Sequence, residues 1–131
     1  MLKAASKAER HLEEVLKPKK LSLQQFNVLR ILRGRKEKTS NLNTIQARMI
    51  YKMSNTSRLI DKLIDKKLVK RSVCKENRRK VKIFITEKGV SLLSEMDEKI
   101  EFAEKEILKP LNIDNQKKLR KLLNKINLIK Q

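Results

Sequence analysis

Residues 54–86 read SNTSRLIDKLIDKKLVKRSVCKENRRKVKIFIT, and the spacing of their apolar side chains changes partway along. In the first part Leu59, Ile60, Leu63 and Ile64 form one helical stripe, with Asn55, Arg58, Lys62 and Lys66 on the opposite side. Ser54 is a candidate N-cap, and the helix is expected to run to about Lys66. From Val69 the period becomes two. Val69, Arg71 and Val73 alternate with Lys70, Ser72 and Cys74, and the alternation resumes with Val81, Ile83 and Ile85. Two such runs around a short polar turn predict a β-hairpin. Its tip, Asn77-Arg78-Arg79-Lys80, is strongly basic. The helix therefore has one face for a core and one for an electronegative surface, with a basic hairpin directly after it.

Upstream, a second short helix is expected from about Asn43 to Tyr51, after a polar loop from Arg35 to Asn41. Ser22, with Gln25 three residues on, has the form of a capping box. The helix it opens carries Phe26, Val28, Leu29, Ile31 and Leu32 on more than one side, so it should be central, and Gly34 should end it. Residues 4–16 place Ala5, Ala8, Leu12, Val15 and Leu16 at helical spacing before Pro18. Downstream, Thr86 is a plausible N-cap with Gly89 in the first turn of a long helix that Pro110 closes. A last helix from near Asp114 carries Leu119, Leu122, Leu123, Ile126 and Ile129 on one face. These amphipathic terminal helices need cover, and packing them together, within or between chains, is the economical solution.

At 131 residues the chain is one domain's worth. Aromatics are only 3%, so the core must be aliphatic. No stretch approaches the ~18 apolar residues of a membrane span, and no apolar run after Met1 suggests a signal peptide. With Cys74 as the only cysteine, no internal disulfide can form, and a soluble, cytoplasmic protein is expected. Cys74 reads as a small strand residue, although Arg71 and Lys75 nearby leave a redox-sensing thiol as the alternative. His11 reads as a packed or surface residue in preference to a ligand or switch, and Met49 and Met53 as core in preference to effector pocket. The net charge is +19, unevenly spread. Residues 38–84 hold 14 Lys/Arg against 3 Asp/Glu, a balance of +11, whereas residues 1–37 carry +6 and residues 85–131 carry +2. A basic middle between more balanced ends suggests a polyanion-binding face; the plainer reading is a lysine-rich solvated surface. The sequence has no P-loop, Gly-rich dinucleotide turn, metal cluster or His-based dyad, so neither an enzyme nor a cofactor is expected.

A short helix, a turn, a polar-faced helix and then a basic hairpin is the layout of a winged helix-turn-helix. A helix fits the major groove and reads base edges, while a hairpin beside it reaches the backbone or the adjacent minor groove. The residues also resemble the MarR family of bacterial regulators. Residues 21–29 are similar to its opening core helix, residues 54–63 to its recognition helix, Leu68-Val69-Lys70-Arg71 to its first wing strand, and residues 77–89 to its wing, second strand and following helix start. Thr86-Glu87-Lys88-Gly89 after the basic hairpin is the most specific part of this combination.

The resemblance implies a mainly α fold with a small hairpin wing, in one domain over residues 1–131. Residues 21–86 would bind double-stranded DNA, and residues 1–20 and 87–131 would form a helical dimerisation region. It implies a homodimeric transcriptional regulator, a repressor, on a pseudo-palindromic site. Release would come from a small lipophilic or phenolic effector or from oxidation. Asn55, Thr56, Ser57, Arg58 and Lys62 would lie in the major groove, Arg79 in the minor groove, and Arg78 and Lys80 near phosphates. Two positions depart from the family pattern. Asn77 replaces an Asp that helps brace the wing. Lys67 replaces a Gly, at a cost of roughly 1 kcal/mol if the backbone there is left-handed. The rival reading is a non-specific or RNA-binding basic protein.

Overall fold

The computed structural model describes residues 1–35, 40–50, 55–73, 75–76 and 81–127. In chain order they form α1 (Leu2–Leu16), a 3-10 turn (Lys17–Lys19), α2 (Leu23–Gly34), α3 (Leu42–Arg48), α4 (Thr56–Asp65), β1 (Val69–Val73), β2 (Val81–Ile85), α5 (Glu87–Leu108) and α6 (Ile113–Asn127). The strands pair antiparallel, with Val69 opposite Ile85, Arg71 opposite Ile83 and Val73 opposite Val81. Ser40 adds an isolated bridge, its carbonyl accepting from the Ile83 N–H at 2.8 Å. The fold is mainly α with a hairpin wing, as expected. Among the described residues no helix is long and apolar enough to cross a membrane.

Local chemistry explains where the elements begin. Gln25 N–H donates to Ser22 Oγ and Ser22 N–H donates to Gln25 Oε1, both at 3.1 Å, which completes the capping box on α2. Thr86 Oγ1 accepts from Gly89 N–H at 3.1 Å and starts α5. Asn41, expected in a loop, caps α3 by accepting from Thr44 N–H at 2.8 Å. Helix α4 starts one residue later than expected, with Asn55 in the cap position; Ser54 lies outside the described residues.

Helix α2 does end at Gly34, but the capping residue is Arg35 at φ −116°, and neither glycine has positive φ. The left-handed corners fall on two lysines instead, Lys20 at φ 55° and Lys67 at φ 63°. At the second corner Lys67 N–H donates to the Ile64 carbonyl at 2.9 Å and Leu68 N–H to that of Leu63 at 3.0 Å, the paired bonds of a Schellman turn. The condition set for Lys67 is therefore met. Just beyond this corner, a Cβ on Gly89 would stand 2.4 Å from the Leu68 carbonyl oxygen and 2.7 Å from Ile85 Cγ1. Helix α5 can lie this close to the helix-to-strand junction because residue 89 has no side chain.

One aliphatic core joins α1 through α5. Leu16, Leu29, Ile45, Leu63, Leu93 and Met96 are fully buried in it, and Met49 joins it as expected. Helix α1 packs along α5 and against α2. Arg33 grips Asp97 through two hydrogen bonds of 2.8 and 3.2 Å, and Lys19 pairs with Glu95 at 2.7 Å. Helix α6 is different. None of its residues is buried, and Ile113, Leu122, Leu123 and Ile126 are exposed. It is tied to the end of α5 by Gln116 Nε2, which donates to the carbonyls of Leu108 and Leu111. His11 is exposed, whereas Met53, Cys74 and Ile129 lie outside the described residues.

Candidate nucleic-acid interface

Helix α4 buries Thr56, Ile60 and Leu63 and exposes Ser57, Arg58, Asp61 and Lys62. Spacings of four and three residues put Thr56 on the same stripe as Ile60 and Leu63. Thr56 is 0% exposed. This corrects its expected place in the groove: its side chain belongs to the core. Asn55 is half-buried, and its Oδ1 is enclosed with no hydrogen-bond partner among the described residues. Ser57, Arg58 and Lys62 are exposed, as a nucleic-acid contact requires. The wing-tip residues Asn77, Arg78, Arg79 and Lys80 lie outside the described residues.

The two edges of the exposed face open onto different concavities. Ser57 and Asp61 border a cleft of about 690 Å³ shared with Asn41 at the start of α3 and with Arg71 and Lys82 of the wing strands. Across it Arg71 Nη2 donates to Asp61 Oδ1 at 2.6 Å and links the wing to the helix. Lys62 instead borders an open groove of about 830 Å³ with Arg10 of α1, Lys17 of the 3-10 turn, Lys20, and the start of α2. Lys66, at the end of α4, has its pKa held below the ordinary lysine value by burial first, then by the charges of Lys62 and Lys20. It had been expected on the outward polar face, yet its side chain turns toward the corner between α1 and α2. Its ammonium donates to the Lys20 carbonyl and, at 3.3 Å, to Gln25 Oε1.

Asp61, Arg71, Asn41 and Lys66 were not singled out as site residues from the sequence. Asp61 did carry a signal, being an acidic residue between Arg58 and Lys62 on the exposed face of the helix. Among the described residues no group of three His, Cys, Asp or Glu could hold a metal ion. A short capped helix, a second helix that exposes Ser57, Arg58 and Lys62, and a hairpin tied to that face together present an edge suited to a polyanionic duplex.

Comparison with known proteins agrees with this geometry. The MarR family model matches residues 21–81. Over 120 residues the chain is 32% identical to the HTH-type transcriptional regulator PecS of Dickeya dadantii (strain 3937), covering 90% of this chain and 72% of that protein. It is similar in structure to a MarR transcription factor from Planctomyces limnophilus, with a TM-score of 0.75 and 30% identity over 94% of this chain and 89% of that one. It also shares the fold of BpsR from Bordetella bronchiseptica, whose DNA binding is regulated by 6-hydroxynicotinic acid. There the TM-score is 0.86 at 23% identity, over 98% of this chain and 90% of that one. The chain belongs to the MarR family and is a DNA-binding transcriptional regulator, not an enzyme.

Proposed function

We propose that this regulator is a cytoplasmic repressor that binds a pseudo-palindromic duplex site as a homodimer and leaves it when a small effector binds. The observation that carries the DNA-reading part is the exposed row Ser57, Arg58 and Lys62 on α4, beside a wing tied to the same helix. In this reading the start of α4 enters the major groove. Asn55, Ser57, Arg58 and Lys62 contact bases or phosphates there, while Thr56 supports them from the core. Arg79 enters the minor groove, with Arg78 and Lys80 along the backbone. Residues 21–86 form the reading unit, and residues 1–20 and 87–131 form the pairing region.

The uncovered apolar face of α6 supports the homodimer. An isolated 15-residue helix is marginal in water, and a second copy offers the same face for mutual cover. A cavity of about 420 Å³ between α1, α2, the end of α3 and α5 supports an effector. Leu12, Leu23, Phe26, Met49, Ile50 and Ile100 make its walls mainly apolar, which suits a small lipophilic or phenolic molecule.

Selection of bound sequences from a random duplex library tests the reading. The chosen site should bind at least ~10³-fold more tightly than random duplex at the same salt concentration. A ratio near one, with RNA bound equally well, would replace it with a non-specific basic protein. Light scattering should give a dimer at micromolar concentration, and a monomer there would remove the pairing role of α6.

A further inference from the structure

Lys66 lies just past the end of the recognition helix, and three other parts of the chain meet it. Its ammonium donates to the carbonyl of Lys20 and to Gln25 Oε1, and its own carbonyl accepts from the Lys88 ammonium at 3.3 Å. Lys20 is the left-handed residue at the corner between α1 and α2. Gln25 is 6% exposed and fixed by its capping box with Ser22. Lys88 belongs to the first turn of α5. One residue thus joins the foot of α4 to the corner of the helical arm and to the root of the long helix.

We propose that Lys66 is a positioning residue for DNA reading: it fixes the angle of α4 against the α1–α2 corner without touching DNA itself. The partners support this role. They are two neutral oxygens on the side of the molecule where α1 meets α2, and one of them is an atom already locked in place. The electrostatics point the same way. Burial and the neighbouring charges of Lys62 and Lys20 make this ammonium less comfortable in the fold than in water. The tie is therefore expected to add little net stability.

Leverage explains why the angle matters. At 1.5 Å per residue, the start of α4 stands roughly 15 Å from Lys66, so 10° of play at the foot moves the start by on the order of 2–3 Å. Base-edge hydrogen bonds do not survive such a displacement, whereas non-specific attraction to phosphates does.

The proposal rests on the sequence-reading function and is tested with the full-length protein on its selected duplex and on random duplex. Lys66→Met should lose roughly tenfold in specific affinity. Its random-duplex affinity, the slope of log affinity against log salt, and the urea midpoint should stay near wild type. Lys66→Arg should restore most of the specific affinity, because a guanidinium can donate to both oxygens. A salt slope shallower by about 1 in Lys66→Met, with both affinities reduced, would show a direct phosphate contact and overturn the proposal. Unchanged specific affinity, or a loss matched by unfolding, would overturn it as well. If wild-type protein itself fails to discriminate between the duplexes, the sequence-reading function falls, and the role of Lys66 falls with it. If wild type discriminates and Lys66→Met does so equally, only the role of Lys66 is lost.

Discussion

Asp61 Oδ1 accepts a hydrogen bond from Arg71 Nη2 at 2.6 Å, joining the exposed side of α4 to the first wing strand. Both side chains are about half exposed, which limits the energy of the pair to ~1 kcal/mol or less. Asp61→Ala and Arg71→Ala should each change the urea-derived stability by no more than that, and a double-mutant cycle should return a coupling of about 0.2–1 kcal/mol. Specific DNA affinity should fall in Asp61→Ala even though a negative charge has been removed. A uniform rise across all duplexes would mean that Asp61 acts only by repelling phosphate.

Thr56 and Arg58 are two residues apart on α4 and should fail in opposite ways. Thr56→Ala opens space in the core and should cost about 1–2 kcal/mol of stability, with sequence preference kept. Arg58→Ala should leave stability within about 0.5 kcal/mol and cost ~1–3 kcal/mol of specific affinity. Urea denaturation and titration with the selected duplex, run on both variants, separate the two effects.

Lys67→Gly should stabilise the protein by about 1 kcal/mol, because the left-handed corner at φ 63° suits glycine. Chemical denaturation at fixed protein concentration measures this. A loss of stability would mean that the lysine side chain makes a compensating contact of its own.

Acid should weaken the tie between the α1–α2 corner and α5. Hydrogen bonding to Lys19, and then the Lys19 charge, hold the Glu95 carboxyl below its ordinary value of 4.5. A depressed carboxylate contributes stability that is fully present above that ordinary value and is lost as pH falls through the lowered folded value. Glu95→Gln should flatten this part of the stability–pH curve and lower neutral stability by the same small amount. An identical curve for the variant would assign the acid sensitivity to other carboxylates.

Features set by neighbours in the chain were legible beforehand. The Ser22–Gln25 box, the Thr86 cap and the hairpin follow from spacings of a few residues. Thr56 was misplaced because a polar side chain was read as an outward one, although its distance from Ile60 and Leu63 marks it as inward. Long-range polar pairs were not legible. Lys66 and Lys20 are 46 residues apart, and only the packing of α4 under the α1–α2 corner brings them together. Lys67 was flagged because the family resemblance implies glycine there. Lys20 had no such warning, and its left-handed turn follows from the way α1 gives way to α2.

Leu16, Leu29, Leu63 and Leu93 are fully buried members of one continuous core. The shared core couples the helical arm to α4, although an open groove of about 830 Å³ lies between their outer faces. Interiors packed this closely are stiff, and they transmit a push instead of absorbing it. A push on α1 therefore reaches α4 through that core, with Lys66 holding the foot of the helix in the proposed reading. In the proposed pair, the gap between the two α4 helices would be set through these cores, and the molecule would measure DNA as a caliper does, by span.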